Sequence, residues 1–294
     1  MANEQDRDAG QEALEAVLPA LRPELHRYCA RMTGSVVDGE DVVQDTLLKA
    51  TRALREGVVV EDLRAWLFRI AHNTALSLFR SRQREKAMKD ELGRDESHVH
   101  TMPVQSDIAD RLRPFLVLTP RQRSTCILRD VLGYSAAEVA QITDSTVPAV
   151  KSALHRGRRL LKDQNVENPP ALPAAERRKL AVYAQCFNAH DFDRLRDMLS
   201  AEVQLELVTM DRRSGREGVG GYYSNYQKSD DWLMAPGAVE GRPAMLAFDR
   251  ADPSAPPLYF VLLRFDGEHV AGIRDFRYAR YAMTDAQWQR FETD

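Results

Sequence analysis

The chain has only three cysteines in 294 residues, Cys29, Cys126 and Cys186, and no two form a CxxC pair. That spacing offers neither a disulfide framework nor a thiolate metal site. Each falls inside a helical pattern, the setting of a buried thiol in a reducing compartment. Long apolar runs are also lacking, and the opening Met1-Ala2-Asn3-Glu4-Gln5-Asp6 is acidic with no apolar stretch behind it. No membrane span and no signal peptide are expected, and the expected location is the cytoplasm. A cationic coat is missing as well, since the net charge is −3. The total hides a split: residues 1–162 carry 25 Lys and Arg against 23 Asp and Glu, and the remainder 16 against 21. Binding to nucleic acid therefore has to come from local patches in the first part. His98 and His100 stand in a polar stretch with no cysteine nearby, so neither a metal nor a cofactor is expected.

What is present is concentrated in residues 119–162. Thr119-Pro120-Arg121-Gln122 has a capping hydroxyl, Pro at the first helical position and Gln three residues after the cap. Ile127, Leu128, Val131 and Leu132 give that helix an apolar stripe before Gly133 stops it. Ser135-Ala136-Ala137-Glu138 is a second capping box, opening a short helix with Val139, Ala140 and Ile142 on its buried face. After the turn Thr143-Asp144-Ser145, Thr146 caps a third helix in which Val147, Val150, Leu154 and Leu161 share one face. Its other face carries Lys151, Ser152, His155, Arg156, Arg158, Arg159 and Lys162, with no acid from 145 to 162. A short capped helix, a tight turn and a basic amphipathic helix form a helix-turn-helix, whose second helix enters the major groove of DNA.

These residues carry a resemblance. Leu118-Thr119-Pro120-Arg121-Gln122-Arg123, Glu138-Val139-Ala140 and the segment 150–158 resemble region 4 of bacterial sigma factors of the extracytoplasmic-function (ECF) group. The resemblance implies that Thr146, Lys151, Ser152, His155, Arg156, Arg158 and Arg159 bind the promoter's −35 element. Asp144 stands where the family turn has Gly, Thr143 replaces an apolar residue, and Gly157 falls mid-helix at a cost of roughly 1 kcal/mol against Ala.

Upstream, Leu14, Val17, Leu18, Leu21, Leu25, Tyr28 and Met32 repeat at helical spacing, interrupted by Pro19 and Pro23, which are expected to kink or divide the run. A second helix is expected over 40–54, with Asp38, Glu40, Asp41 and Asp45 at its positive end. Glu40-Asp41-Val42-Val43-Gln44-Asp45-Thr46 also resembles sigma region 2.2, so Asp41, Gln44 and Asp45 become contacts to the β′ clamp helices of core RNA polymerase, the β subunit being the other expected core partner. Residues 63–89 hold seven Arg and Lys against Glu85 alone, interleaved with Trp66, Phe68, His72, Asn73 and Phe79. Cations with aromatics and amides suit a protein that holds phosphates while trapping exposed bases. Arg64-Ala65-Trp66-Leu67-Phe68-Arg69-Ile70-Ala71-His72-Asn73 is similar to sigma regions 2.3 and 2.4, which implies −10 contacts from Trp66, Arg69, His72, Asn73, Arg80 and Arg84. His72 stands where the family often has Arg, and Ser77 where it often has Asp.

Beyond three prolines at 169, 170 and 173 the periodicity changes: a helix over 175–190, a cap at Asp191, then strands over 203–207, 243–249, 257–265 and 268–281, with Asp266-Gly267 as a hairpin turn. Helices followed by a meander predict an α+β domain, and the segments around Phe187-Asn188-Ala189-His190-Asp191-Phe192 resemble the cone-shaped SnoaL-type domains. The expected organisation is multidomain: an all-α region 2 bundle at 1–92, a flexible linker at 93–110, an all-α region 4 helix-turn-helix at 111–165, a Pro-rich linker at 166–175 and the SnoaL-like domain at 176–294. That last domain is expected to contact the sigma modules, to regulate them and to be open to a small-molecule ligand. Asp211, Asp231, Asp275, Tyr222, Tyr223 and His190 are its candidate acid-base groups, with Asp275 alternatively pairing Arg274 or Arg277 on a strand surface. No catalytic residue is assigned, since fold alone does not establish an activity. Two rival readings stay open: a helix-turn-helix regulator with a ligand-sensing domain, and a small-molecule isomerase or cyclase.

Overall fold

A computed structural model describes residues 4–91, 112–162, 172–228 and 231–291. The described residues fall into two units, one helical and ending at 162, the other beginning at 172. The linkers expected at 93–110 and 166–175 lie outside the described residues, except for 172–175, where a helix has already begun at Ala174.

The helical unit opens with α1 (Glu4–Thr33), α2 (Val36–Arg55) and α3 (Leu63–Glu91). Pro19 and Pro23 do not divide α1, which runs through both as one element. An interior Pro costs about 3 kcal/mol. Burial of Leu21, Leu25, Tyr28 and Met32 against α2 and α3 offsets it. Helix α2 begins four residues before the expected position, capped by Ser35, whose hydroxyl accepts from the Asp38 N–H at 3.1 Å. Glu40 therefore lies beyond the opening turn, where it is fully buried and paired with Arg22. The chain enters α3 through Asp62, whose carboxylate accepts from the Ala65 N–H at 2.9 Å.

Both predicted capping boxes form, at the starts of α4 (Pro120–Cys126) and α5 (Ala136–Ile142). The first helix continues in wider π-type turns through Val131 before Gly133 reverses the chain at φ 78°. The turn into α6 (Val147–Leu161) uses Asp144 at φ 47°, which an Asp tolerates where most residues do not. Modules expected as separate bodies share one core, in which Tyr28, Leu67 and Phe68 join Ile127, Leu128 and Val150.

The second unit places α7 (Ala174–Asn188) and α8 (Phe192–Asp197) on a seven-stranded sheet. Its strands are β1 (Leu199–Leu207), β2 (Asp211–Ser214), β3 (Trp232–Val239), β4 (Arg242–Asp249), β5 (Tyr259–Asp266), β6 (His269–Asp275) and β7 (Trp288–Arg290). The spatial order is β2-β1-β6-β5-β4-β3-β7, antiparallel except for β1 beside β6. The Asp266-Gly267 hairpin forms as expected. The strand predicted over 268–281 stops at Asp275, because Arg280–Thr284 turns into a 3-10 helix. Short helices α9 (Gly215–Gly220) and α10 (Ser224–Gln227) close the unit over Val219, Tyr222 and Tyr226, all buried.

Candidate nucleic-acid interface

Helix α6 is amphipathic for the reason its spacing gives: Val150, Ala153 and Leu154 are buried, while Lys151, Ser152, His155, Arg156, Arg158 and Arg159 are exposed. Thr146 is exposed and caps the helix by accepting from the Ala149 N–H at 3.4 Å. Val147, expected on the inner face, is 36% exposed, since it sits in the first turn where α6 has not yet reached α4. Arg156 donates to the Ser152 hydroxyl at 2.5 Å, one turn back along the outer face. Arg158 is held by both oxygens of Asp130, at 2.5 and 3.0 Å, which fixes α6 to the end of the preceding π-type turns. Gly157, a liability by helix propensity, is a requirement of packing: a Cβ there would come within 2.6 Å of the Cys126 sulfur.

Helix α3 offers a second polar face. Arg69, Asn73, Arg80 and Arg84 are exposed, and Trp66 is half-buried beside them. Their spacings of three, four and seven residues set them on one side of the helix. Two sequence-predicted residues do not join this face. Phe68 is core, edge-on to Tyr28 and Tyr134 at 5.6 and 5.3 Å. His72, expected at the −10 strand, is 6% exposed and its Nδ1 is 3.0 Å from the Tyr28 hydroxyl. One residue's offset along the helix from Asn73 is enough to turn it inward.

The Tyr28 hydroxyl also lies 2.8 Å from the Ser124 hydroxyl of α4, so a buried polar chain ties α1, α3 and α4 together. Arg123 adds a stronger tie, donating to the carbonyls of Met32, Phe115, Leu116 and Leu118 and stacking on Phe79. Arg64 donates to the Tyr134 hydroxyl at 2.7 Å and pairs with Glu24 at 2.5 Å. Sequence periodicity marks none of these contacts, because they join residues up to 96 positions apart.

Burial pushes the pKa of His72 down to about 4. In the unfolded chain the imidazole titrates near its ordinary value of about 6.5. Between these values the unfolded state holds the extra proton, so this contribution to stability is complete above that window and is lost as the pH falls through it. It amounts to roughly 3 kcal/mol once the pH is below 4. Denaturant melts of wild type and His72→Gln should diverge across this interval, with wild type losing more stability on acidification. Parallel curves would show that His72 does not carry the acid sensitivity.

On α2, Asp41 and Asp45 are exposed and Gln44 half-buried on one side of the helix, and Leu48 extends that side at 70% exposure. A Leu in a helical run reads as core, so sequence alone passes over Leu48.

The acid-base candidates of the second unit are not gathered into one site. Asp211 pairs with Arg213 on β2, Asp231 is exposed, and His190 stacks on Phe192 at 5.5 Å. Asp275 does not pair with an arginine side chain on a strand surface, as one expectation had it. It is 1% exposed and accepts from the Tyr222 and Tyr226 hydroxyls at 3.0 and 2.7 Å and from the Arg277 N–H at 2.7 Å. The face of β6 alternates, which sends Asp275 inward and Arg274 outward. Among the described residues no group of three or more His, Cys, Asp or Glu could hold a metal ion, and no helix is long and apolar enough to cross a membrane.

Residues 19–85 match the Sigma-70 region 2 family and residues 116–161 the Sigma-70, region 4 family. The ECF RNA polymerase sigma factor SigG of Mycobacterium tuberculosis is 36% identical over 217 residues, which cover 63% of this chain and 59% of SigG. The chain thus spans less than two thirds of the length of that relative. SigD of the same organism is 32% identical over 164 residues, covering 52% of this chain and 77% of SigD. The crystal structure of the M. tuberculosis ECF sigma factor SigJ is 18% identical, with coverage of 88% and 95% and a TM-score of 0.36. The matched segments are those that build α1 to α3 and α4 to α6, so the two polar helix faces described above sit in the parts that the relatives share. On the identity to SigD and the extent of SigD it covers, the chain belongs to the ECF RNA polymerase sigma factors.

Proposed function

We propose that the chain gives core RNA polymerase its choice of promoter. Asp41, Gln44, Asp45 and Leu48 of α2 present a mixed acidic and apolar face to the polymerase clamp. The α3 face of Trp66, Arg69, Asn73, Arg80 and Arg84 holds the separated strand of the −10 element. Helix α6 reads the −35 element through Lys151, Ser152, His155 and Arg156, with Arg159 on phosphate, where contacts position without specifying sequence. Arg158, engaged by Asp130, serves mainly to set the angle of α6. The observation that carries this reading is the pair of exposed polar faces, on α3 and α6, in one compact unit.

The second unit is read as a SnoaL-like regulatory domain, supported by its helices followed by a seven-stranded sheet and by the 187–192 motif. Promoter-specific transcription reconstituted with core polymerase tests both parts. Addition of the protein should yield a defined transcript, and Lys151→Glu with Arg156→Glu should lower it about tenfold or more. Tight, specific duplex binding without polymerase would argue instead for an ordinary helix-turn-helix regulator. A 1–165 truncation should change the yield relative to the full chain; equal yields would remove the regulatory role of the second unit.

A further inference from the structure

The sheet of the second unit has two unlike faces. Leu205, Leu263 and Ile273 are buried in one apolar cluster with Tyr183 and Phe187. Their neighbours along each strand point the other way. Strand register sets Arg212, Glu206, Arg274 and Leu262 in one row across that outer face, and Ser214, Gln204, Gly272 and Arg264 in the next. A groove of about 820 Å³ opens over these rows and also takes in Arg242, Arg213 and Glu176. That volume falls within the range of small-molecule sites, roughly 300–1,000 Å³.

The charge of the groove opposes that of its surroundings. Arg213 is paired with Asp211 at 2.8 Å. The other four lining arginines face two lining carboxylates, Glu176 and Glu206, in the half of the chain where acids outnumber bases. Clustered guanidinium groups repel one another, and an anion between them relieves the repulsion. Three of the arginines are also set in place beforehand. Glu206 holds Arg274 at 3.1 Å and Arg212 at 3.3 Å, Arg274 lies 5.3 Å from the Phe276 ring, and Arg264 donates to the Ala271 carbonyl at 3.0 Å. Fixing donors before a ligand arrives lowers the entropic cost of binding it. Gly272 leaves the floor bare beside Arg264, where a Cβ would approach the guanidinium Nε to 3.2 Å.

We propose that this groove binds a small organic dianion, a phosphate monoester or a dicarboxylate. The lining surplus of two positive charges matches such a ligand. The carboxylate of Glu206 in the middle of the arginine row disfavours a nucleic-acid backbone, whose phosphates would have to pass over it. The site is built within the second unit and stands whether or not the polymerase reading holds.

Calorimetric titration of the full-length protein with glycerol 3-phosphate and with succinate, at low ionic strength, tests the site and separates the two ligand chemistries. At least one should bind at millimolar concentration or below. Arg264→Met with Arg274→Met should weaken that binding about tenfold or more. Glu206→Gln, which raises the positive surplus, should strengthen it, while Arg290→Met, over the Phe248 ring on β7, should leave it unchanged. Circular dichroism checks the fold, and Arg264→Met alone, on an exposed side chain, replaces the double variant if the latter unfolds. The proposal falls if neither probe binds, if the arginine variants bind like wild type, or if the groove responds to a short DNA duplex and to neither probe.

Discussion

Replacing Arg123 with alanine should cost the helical unit about 4 kcal/mol and split its unfolding into two transitions. Arg123 is 6% exposed, and its guanidinium donates to four carbonyls, at 2.5 to 3.1 Å, with no carboxylate among them. Burial pushes its pKa down to about 10, so the group remains charged at neutral pH. Met32 belongs to α1, whereas Phe115, Leu116 and Leu118 precede α4, and Phe79 over which the cation lies belongs to α3. One side chain therefore fastens α1 and α3 to the segment that leads into α4. Alanine would strand the four acceptors and remove the stacked cation, and a lysine could not restore the planar fork. Probes placed separately on α2 and α6 should then report different denaturant midpoints. Loss of less than about 1 kcal/mol with a single shared transition would mean the modules are held by apolar contact alone.

Asp275→Ala should destabilise the second unit by a comparable amount, about 3–5 kcal/mol. Three donors converge on this buried carboxyl, and the Tyr226 hydroxyl among them also accepts from Tyr259 at 3.3 Å. The rings above it, Phe187, Tyr226 and Trp232, meet edge-on with centroids 4.9 to 5.5 Å apart, so the freed hydroxyls have no water to turn to without unpacking that cluster. Burial raises the Asp275 pKa above the usual carboxylate range, against the lowering effect of its donors. A carboxyl that holds its proton longer when folded contributes stability at low pH, beginning to lose it as the pH rises past the unfolded value of about 3.9. Asp275→Asn lacks this titration. Wild type should therefore outstrip the Asn variant most at acid pH, with the gap narrowing toward neutrality. A gap that widens with pH would mean that the tyrosine hydroxyls hold the ionised form more strongly than burial opposes it.

The local signals in the first half were legible because short-range chemistry decides them. Thr119, Ser135 and Thr146 all cap the helices that their spacing predicts, and Asp144 takes the left-handed turn conformation. Misreadings arose where a distant partner decides the outcome. Prolines 19 and 23 survive inside α1 because α2 and α3 pack on it, and His72 turns inward because Tyr28, 44 positions earlier, offers it a hydrogen bond. In the second half, β1 was visible from alternation and the β5–β6 hairpin from its turn dipeptide. Strand β3 was not, since Trp232–Val239 is buried on both faces over most of its length and shows no period of two. Nor was the arginine groove, whose members come from β2, β4, β5 and β6 and meet only through register.

The parallel pairing of β1 with β6 sets an order of events for synthesis. Leu205 leaves the ribosome roughly seventy residues ahead of Ile273, the residue it must lie beside. Until then β1 has only the four-residue ribbon of β2 and the short helix α9 beside it, and its other edge waits unpaired. The helical unit, whose described segments all lie before residue 163, can finish first, so the nascent polypeptide holds that unit complete while its last hundred residues are still gathering a sheet.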